Sequence, residues 1–459
     1  METISAIATA MGEGGVGIVR LSGDEALAIA GRMFVPSGKS QEPQKNFTVR
    51  HGHIVSRDQG RETVLDEALL LVMRAPKSYT GEDVAELHAH GGPALLRTVW
   101  ELTIRQGARA AQPGEFTKRA FLNGRLDLLQ AEAVLDLIQA KTERGVRWAA
   151  SQLGGCLSRK MEHLKHDLLE VLIPMEAAVD FPEDVPETDS FRRIEVKLTT
   201  ISSELKDLLE GASLGLLAKR GLTVALWGRP NVGKSSLLNR LTLSDRVIVT
   251  PLPGTTRDVV EQETSIGGFP VRFQDTAGVQ DTEHPVEKES IERSRRAALA
   301  ADLVLLVLDS SRPLTPEDRK LWEELAGRPK IAVLNKSDLV QKITPAHLKD
   351  WEDLAGVVSC SCIQEGGEQV LRQEILRFMT EGRAQASEEP LISSVRQKEH
   401  LEKALDGVDR ARQACSKQLS YEFVASDVRR ALDHLGALVG EVVTDDVLEL
   451  VFNKFCIGK

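Results

Sequence analysis

The spacing of apolar residues changes near residue 120 of this 459-residue chain. Before that point, short apolar stretches are punctuated by Gly and Pro. Gly14-Gly15-Val16-Gly17-Ile18-Val19-Arg20-Leu21 and Glu67-Ala68-Leu69-Leu70-Leu71-Val72-Met73 read as strands. Asp24 to Met33 and Gly92 to Gln106 read as helices, so residues 1–118 predict a compact α+β domain. From about 120 to Glu176 apolar positions recur three and four apart, as in Leu128, Val134, Leu135 and Ile138. That spacing predicts helix with few breaks. Asp180-Phe181-Pro182-Glu183-Asp184-Val185-Pro186 interrupts it, and helix resumes from Ser190 to Leu217. At 222 the pattern becomes one of buried strands alternating with helices, the last of which ends near 380. A polar connector, Ala384 to Pro390, leads back to helical spacing that reaches Lys454. The expected order is therefore an α+β domain (1–118), a helical first part (119–218), an inserted α/β domain (219–380) and a helical second part (381–459). Insertion is tolerated because the termini of a domain often lie close together.

The inserted part carries the chemistry. Gly228-Arg229-Pro230-Asn231-Val232-Gly233-Lys234-Ser235 has the phosphate-loop spacing, with a strand before it (Leu222 to Trp227) and a helix after it (from Ser236). Such a loop wraps phosphates in backbone N–H groups. Lys234 would reach the β- and γ-phosphates, and the Ser235 hydroxyl would hold magnesium. Asn335-Lys336-Ser337-Asp338 follows the strand Ile331 to Leu334. Asp338 can accept two hydrogen bonds from the N–H edge of guanine, an edge adenine lacks. Asp275-Thr276-Ala277-Gly278 follows Val271 to Gln274; Asp275 would hold magnesium through water, and the Gly278 N–H would sense the γ-phosphate. Gly254-Thr255-Thr256-Arg257-Asp258 lies where a switch loop belongs, with Thr256 as second magnesium ligand. Ser359-Cys360 closes the set, with Cys where Ala is usual. Together the motifs predict a GTPase. Val279 stands where many GTPases place a water-orienting Gln, so another group must do this work. Asp281, Glu283, Glu287 and Glu289 are the nearby acids.

Composition narrows the remainder. Apolar residues make up 42% and aromatic ones only 4%, which predicts cores of Leu, Val and Ala. A net charge of −10 excludes a chain-wide electrostatic grip on nucleic acid, though not a local one. Five cysteines without paired spacing exclude a disulfide framework, and Cys360 and Cys362 have no second pair with which to hold zinc. No apolar run approaches a membrane span and the start has no signal-peptide core, so the chain reads as cytosolic. His88 and His90 alternate as on a strand, either as a metal pair lacking an evident third ligand or as locally bonded histidines. Lys118, Arg119 and Arg125 offer an anion site or a solvated helix start. Cys456, fourth from the end, is either a nucleophile or a small apolar residue docked on another domain, and docking is favoured on chemistry.

Several stretches carry a family resemblance. They are Gly-Gly-Val-Gly-Ile-Val-Arg near the start, the run from Tyr79 to Gly92, the run from Pro113 to Asp127, the inserted GTPase motifs and the final Cys456-Ile457-Gly458-Lys459. In these the chain resembles the MnmE (TrmE) family of tRNA-modification GTPases over essentially its full length. The resemblance implies a multidomain α/β plus α fold: an N-terminal α+β folate-binding and dimerisation domain, and a helical domain interrupted by an inserted Ras-like P-loop GTPase domain. It implies nucleotide contacts along Asn231-Val232-Gly233-Lys234-Ser235-Ser236, Thr250-Pro251-Leu252-Pro253-Gly254-Thr255-Thr256, Asp275-Thr276-Ala277-Gly278, Asn335, Lys336 and Asp338, and Ser359-Cys360-Ser361. Magnesium would sit on Ser235 and Thr256, and potassium on Asn231, Thr250, Leu252 and Thr255. Glu287 would be the catalytic, water-orienting acid. A 5-formyltetrahydrofolate or related tetrahydrofolate would meet Arg20, Glu86, Arg125 and Lys459, with Cys456 a possible reactive thiol. The implied function is potassium-dependent GTP hydrolysis by a homodimer. With the flavoprotein MnmG it would place an aminomethyl or carboxymethylaminomethyl group on carbon 5 of the wobble uridine of certain tRNAs, in the cytoplasm. Two rival readings share part of this pattern. A ribosome-assembly GTPase would not account for the inserted position or the terminal Cys-Ile-Gly-Lys, and a dynamin-like membrane GTPase would need an amphipathic or apolar membrane element.

Overall fold

The structure, a computed structural model, describes residues 2–38, 44–58, 60–180, 187–243, 261–275, 285–351, 353–380 and 392–459. The chain divides into two compact units. One joins Met1–Leu135, Gln152–Leu169 and Leu432–Lys459; the other joins Asp136–Ser151 and Glu170–Ala431.

The first unit is built on a seven-stranded sheet: β1 (Ile4–Ile7), β2 (Gly17–Ser22), β3 (Phe34–Pro36), β4 (Thr48–Asp58), β5 (Arg61–Met73), β6 (Val84–Ala89) and β7 (Arg109–Ala110). Their order is β3-β4-β5-β6-β2-β1-β7, antiparallel except for the β1–β7 pair. The expected strands at 14–21 and 67–73 appear as β2 and β5. The second is longer than its apolar run because it pairs along its length with β4. Helices Ala26–Met33 and Pro93–Arg105 cover the sheet, burying Ile29, Met33, Leu96 and Val99 on Val19, Leu21 and Leu87. A second core gathers Leu128, Leu135, Leu448, Phe452 and Phe455, so the last described segment packs on the first helices after the sheet.

The long helical run expected from 120 to 176 is four helices: Glu115–Leu122, Leu128–Gln139, Glu143–Leu153 and Cys156–Asp180. Two local signals break it. Gly155 is left-handed, with φ +77°. The Thr142 hydroxyl accepts from the Gly145 amide at 3.1 Å and so starts a new helix. The expected break at 180–186 and the connector at 384–390 fall at or within segments outside the described residues.

The second unit holds a six-stranded sheet of β8 (Leu222–Trp227), β9 (Glu261–Ile266), β10 (Phe269–Asp275), β11 (Leu303–Asp309), β12 (Lys330–Asn335) and β13 (Leu354–Ser359). The order is β13-β12-β11-β8-β10-β9, parallel except for the edge strand β9. The central strands are buried on both faces: all six residues of β12 are buried, with Lys330 and Asn335 at the ends of its apolar stretch. Helix Glu143–Leu153 joins this core, which its sequence did not signal. Trp148 meets Phe269 edge-on at 5.8 Å, and the Arg144 guanidinium lies 4.6 Å from the Trp148 ring and 4.9 Å from the Phe269 ring. Lys141 Nζ clamps both Glu263 oxygens at 2.6 and 2.7 Å. The paired helices Glu187–Arg220 and Val395–Ser416 bury Leu198, Leu205, Leu401 and Val408, and Ser202 Oγ donates to Asp409 Oδ1 at 2.8 Å.

Candidate functional site: a nucleotide pocket and a docked chain end

Binding chemistry in a parallel sheet collects beyond the carboxyl ends of the strands, where loops and helix N-termini meet. Here β8 ends at Trp227 and helix Lys234–Leu243 begins seven residues on. The loop between them bends through Gly228 (φ +146°), Asn231 (φ +61°) and Gly233 (φ +100°). Lys234 is buried, and its ammonium donates to the Gly228 carbonyl at 2.8 Å and the Arg229 carbonyl at 2.7 Å. Asn335, the last residue of β12, ties this loop to the start of the segment that carries Asp338. Its Nδ2 donates to the Val232 carbonyl at 2.8 Å. Gly233 must be glycine: a Cβ there would stand 2.3 Å from that same Nδ2. Lys336 Nζ donates to the Asn231 carbonyl at 3.1 Å and to Asp309 Oδ2 at 2.6 Å. Burial works to raise the Asp309 pKa, but Lys336 and the Ser311 hydroxyl and amide outweigh it and hold the carboxyl below its usual range. Ser361 Oγ donates to Asp338 Oδ1 at 2.6 Å and accepts from the Ile363 and Gln364 amides at 3.3 and 3.4 Å, which fixes the Asp338 carboxylate. Arg240, on the helix after the phosphate loop, donates to the Cys362 carbonyl at 3.0 Å and the Ile363 carbonyl at 3.3 Å.

A second cluster lies in the first unit. Arg20 on β2 and Glu86 on β6 are cross-strand partners, and Arg20 Nε donates to Glu86 Oε1 at 2.7 Å. His88 Nε2 lies 3.1 Å from the other Glu86 oxygen. Burial works to raise the Glu86 pKa; His88 and Arg20 more than reverse it, so the carboxyl stays below its usual range. The Arg20 guanidinium lies 5.6 Å from both the Tyr79 and the Phe116 ring centroids. The chain end closes over this set. Phe116 N donates to the Lys459 carbonyl at 3.2 Å, Gly114 N to the Cys456 carbonyl at 3.5 Å, and Arg20 Nη1 to the Gly458 carbonyl at 3.4 Å. Gly458 has φ +100°, and a Cβ there would meet the Ile7 carbonyl at 2.3 Å. Burial and the neighbouring Arg20 charge push the Lys459 pKa down, against the pull of Glu86.

Family models match most of the chain. One described as GTP-binding protein TrmE N-terminus covers residues 3–125, and one described as MnmE helical domain covers 128–456. Among curated relatives, the tRNA modification GTPase MnmE of Lactiplantibacillus plantarum is 43% identical over 100% of this chain and 98% of its own. That of a Nostoc species is 44% identical over 100% and 99%. The chain belongs to the MnmE family. Among solved structures, the G domain of the T. maritima FeoB iron transporter is 30% identical, over 34% of this chain and 98% of that one, with a TM-score of 0.28.

Against the MnmE-family expectations, the structure brings Asn231 to Ser236, Asn335, Lys336, Asp338 and Ser361 around one loop pair. Thr250 to Thr256 and Thr276 to Gly278 lie outside the described residues, as do the side chains of Asp275 and Glu287. Of the closing motif, Ser359 ends β13, and Cys360 is buried in the sheet core, its thiol pushed up to about 12, first by burial. Ser361 is the serine that meets Asp338, and the Cys362 thiol lies 3.4 Å from Asn335 Oδ1. Arg20, Glu86 and Lys459 come together as expected. Arg125 stands aside and donates to the Ser78 carbonyl at 3.3 Å, one residue before Tyr79. The two histidines are not brought into a common cluster of three possible metal ligands among the described residues: His90 Nδ1 pairs with Asp66 Oδ1 at 2.7 Å while His88 takes Glu86. Arg119 is unavailable to a ligand: it is buried between Glu82 and Glu115, at 3.0 Å from each. The expected docking of Cys456 is not what the structure shows: Cys456 is exposed, and the chain end is anchored instead by the buried Phe455.

Proposed function

We propose that this protein binds and hydrolyses GTP in the service of tRNA modification, as its MnmE relatives are named for. The observation that carries the reading is the Asn335 amide, which holds the phosphate loop and the base-reading loop in one piece while Ser361 holds Asp338. Phosphates would lie along the backbone N–H groups of 231–236, with Lys234 swinging from the loop carbonyls to their charge. Ser235 and Thr256 would hold magnesium, which supplies charge stabilisation at the phosphate oxygens when bound. Asn231 is exposed beside the loop, where it suits a potassium ligand together with Thr250, Leu252 and Thr255. Glu287, in helix Pro285–Ala300, would orient the attacking water.

The Arg20 cluster suits a folate. Two cations flank one buried carboxylate beside the Tyr79 and Phe116 rings, a donor set for a flat heteroaromatic ring carrying an anionic tail. We assign Arg20, Glu86 and Lys459 to 5-formyltetrahydrofolate or a related tetrahydrofolate, with Arg125 at the margin and Cys456 as a thiol within the same chain end. On family likeness the partners would be a second copy of the chain and the flavoprotein MnmG. The product would be a tRNA bearing an aminomethyl or carboxymethylaminomethyl group at carbon 5 of the wobble uridine, made in the cytoplasm, and the domain limits would be those read from the sequence. No described helix is long and apolar enough to cross a bilayer.

The test is GTP hydrolysis in potassium against sodium buffer, for wild type, Glu287→Ala and Asp338→Ala. The expected result is potassium stimulation, lost in Glu287→Ala with GTP binding retained, and GTP binding lost in Asp338→Ala. Equal rates in both salts would remove the potassium assignment, and unchanged nucleotide choice in Asp338→Ala would remove the base-reading one.

A further inference from the structure

A cavity of about 280 Å³ opens on the second unit, lined by Trp322, Trp351, Lys330, Asp350, Asp353 and Glu323 among others. It lies at the other end of β12 from the nucleotide loops. Lys330 begins that strand and Asn335 ends it, roughly 17 Å away at a strand's rise per residue. The nucleotide chemistry therefore does not use it.

Its floor is already satisfied. Trp322 is 5% exposed and Lys330 is 1% exposed, with the Lys330 ammonium 4.6 Å from the Trp322 ring centroid. That ammonium donates to the Arg328 carbonyl at 3.2 Å and reaches Asp353 Oδ2 at 3.5 Å, while Asp353 also accepts from the Gly327 amide at 2.7 Å. The rim is different. The Trp351 ring leans on Trp322 at 4.6 Å and a 48° tilt, and is only half-buried. Arg319 is occupied by Glu323 at 3.3 Å. Asp350 is exposed and, among the described residues, makes no hydrogen bond or ion pair; the Trp351 indole N–H has no acceptor either. Three carboxylates face two cations, and both cations are already paired.

We propose that this cavity binds the guanidinium of an arginine side chain presented by a partner protein segment. An aromatic wall next to an unpaired carboxylate is the surrounding a guanidinium fits, its face on the indole and its N–H edge on the carboxylate. An anion would face the acidic rim. A lysine ammonium is more strongly hydrated and cannot stack, and Lys330 already fills that role on Trp322. The volume is that of one side chain and falls short of a drug-sized pocket. The indole N–H suits a backbone carbonyl of the same segment, which favours a peptide over a free guanidine.

The probe is N-acetyl-arginine N-methylamide, compared with the citrulline analogue, which has nearly the same shape and no charge. The full-length protein is titrated with each while tryptophan fluorescence is followed, in wild type and in Asp350→Asn and Trp351→Phe. The expected result is a saturable change with the arginine probe at millimolar concentration, at least tenfold weaker for the citrulline probe. It should be weakened at least tenfold in Asp350→Asn and lose most of its amplitude in Trp351→Phe, with GTP hydrolysis unchanged in Asp350→Asn. Equal responses to the two probes, a linear unsaturated response, or a response untouched in Asp350→Asn would overturn the proposal.

Discussion

Replacing Gly458 by Ala should release the chain end. The residue sits at φ +100°, where an L side chain costs about 1–2 kcal/mol. The added Cβ would lie 2.3 Å from the Ile7 carbonyl oxygen and 2.9 Å from Ala8 Cα, backbone atoms of the sheet that cannot yield as a flexible side chain would. The tail can escape by giving up its own bonds, those of Phe116 N, Gly114 N and Arg20 Nη1 to the carbonyls of 459, 456 and 458. At about 1 kcal/mol net for each bond, release costs about 3 kcal/mol. The strain and the release cost are of similar size, so we expect docking to weaken by about 2 kcal/mol, or about 30-fold in the opening equilibrium. Amide hydrogen exchange read by mass spectrometry resolves this. Segments 113–117 and 455–459 should lose about 30-fold of their protection, on that same free-energy estimate, while peptides from β4 and β5 are unchanged. Ile457→Ala, at a position 60% exposed, is the control and should change little. Protection within threefold of wild type in Gly458→Ala would refute the argument that the backbone at this glycine holds the tail.

Three further outcomes follow from the geometry. Gly233→Ala should abolish GTP binding in equilibrium dialysis without loss of the folded sheet by circular dichroism, because its Cβ would displace the Asn335 amide; binding within tenfold of wild type would contradict this. Trp148→Ala should cost about 3–5 kcal/mol in urea unfolding, since it empties a site 9% exposed and takes the ring from under Arg144; a cost below 1 kcal/mol would mean that helix Glu143–Leu153 does not belong to the sheet core. The Glu86 carboxyl, held below its usual range, contributes stability above its unfolded pKa of about 4.3 and loses it as pH falls through the lower folded value. Melting temperature should therefore fall on acidification through that window, and fall less steeply in Glu86→Gln. A residual slope is expected from Glu115, whose carboxyl Arg109, Gln112 and Arg119 likewise hold low; identical slopes would remove Glu86 from the acid response.

Elements with a local signal were legible. The Gly-rich loop after Leu222–Trp227 and the apolar stretch Ile331–Leu334 of β12 follow from local pattern, glycine spacing in one and an unbroken apolar run in the other. What was not legible depends on contacts distant in sequence. Helix Glu143–Leu153 has the same helical pattern as its neighbours, and only Phe269 and Glu263, more than a hundred residues on, assign it to the second sheet. Arg119 looked available for an anion until Glu82 and Glu115 were seen to bracket it. The Ser-Cys repeat does not reveal which serine meets Asp338, because its two halves are chemically alike. The chain-end cluster was placed by resemblance; no property of the residues Cys-Ile-Gly-Lys alone points to β2.

The first unit is assembled from three separated stretches of chain, the last of them Leu432–Lys459. On the ribosome that stretch emerges roughly 15 s to a minute after Leu135, at the usual pace of synthesis. Throughout that interval Leu128, Ala131 and Leu135 lack the Phe452 and Phe455 rings that cover them in the finished molecule. The nascent N-terminal sheet can form early, because its strands are contiguous. Its adjoining helical face cannot be sealed until Phe452 and Phe455 emerge. The sheet of the second unit faces no such wait, having received all its strands by residue 359. Maturation should therefore run with the nucleotide-binding sheet complete while the first unit is still open, and a truncation before Asp445 should leave a protein able to bind GTP yet prone to associate through the uncovered helices.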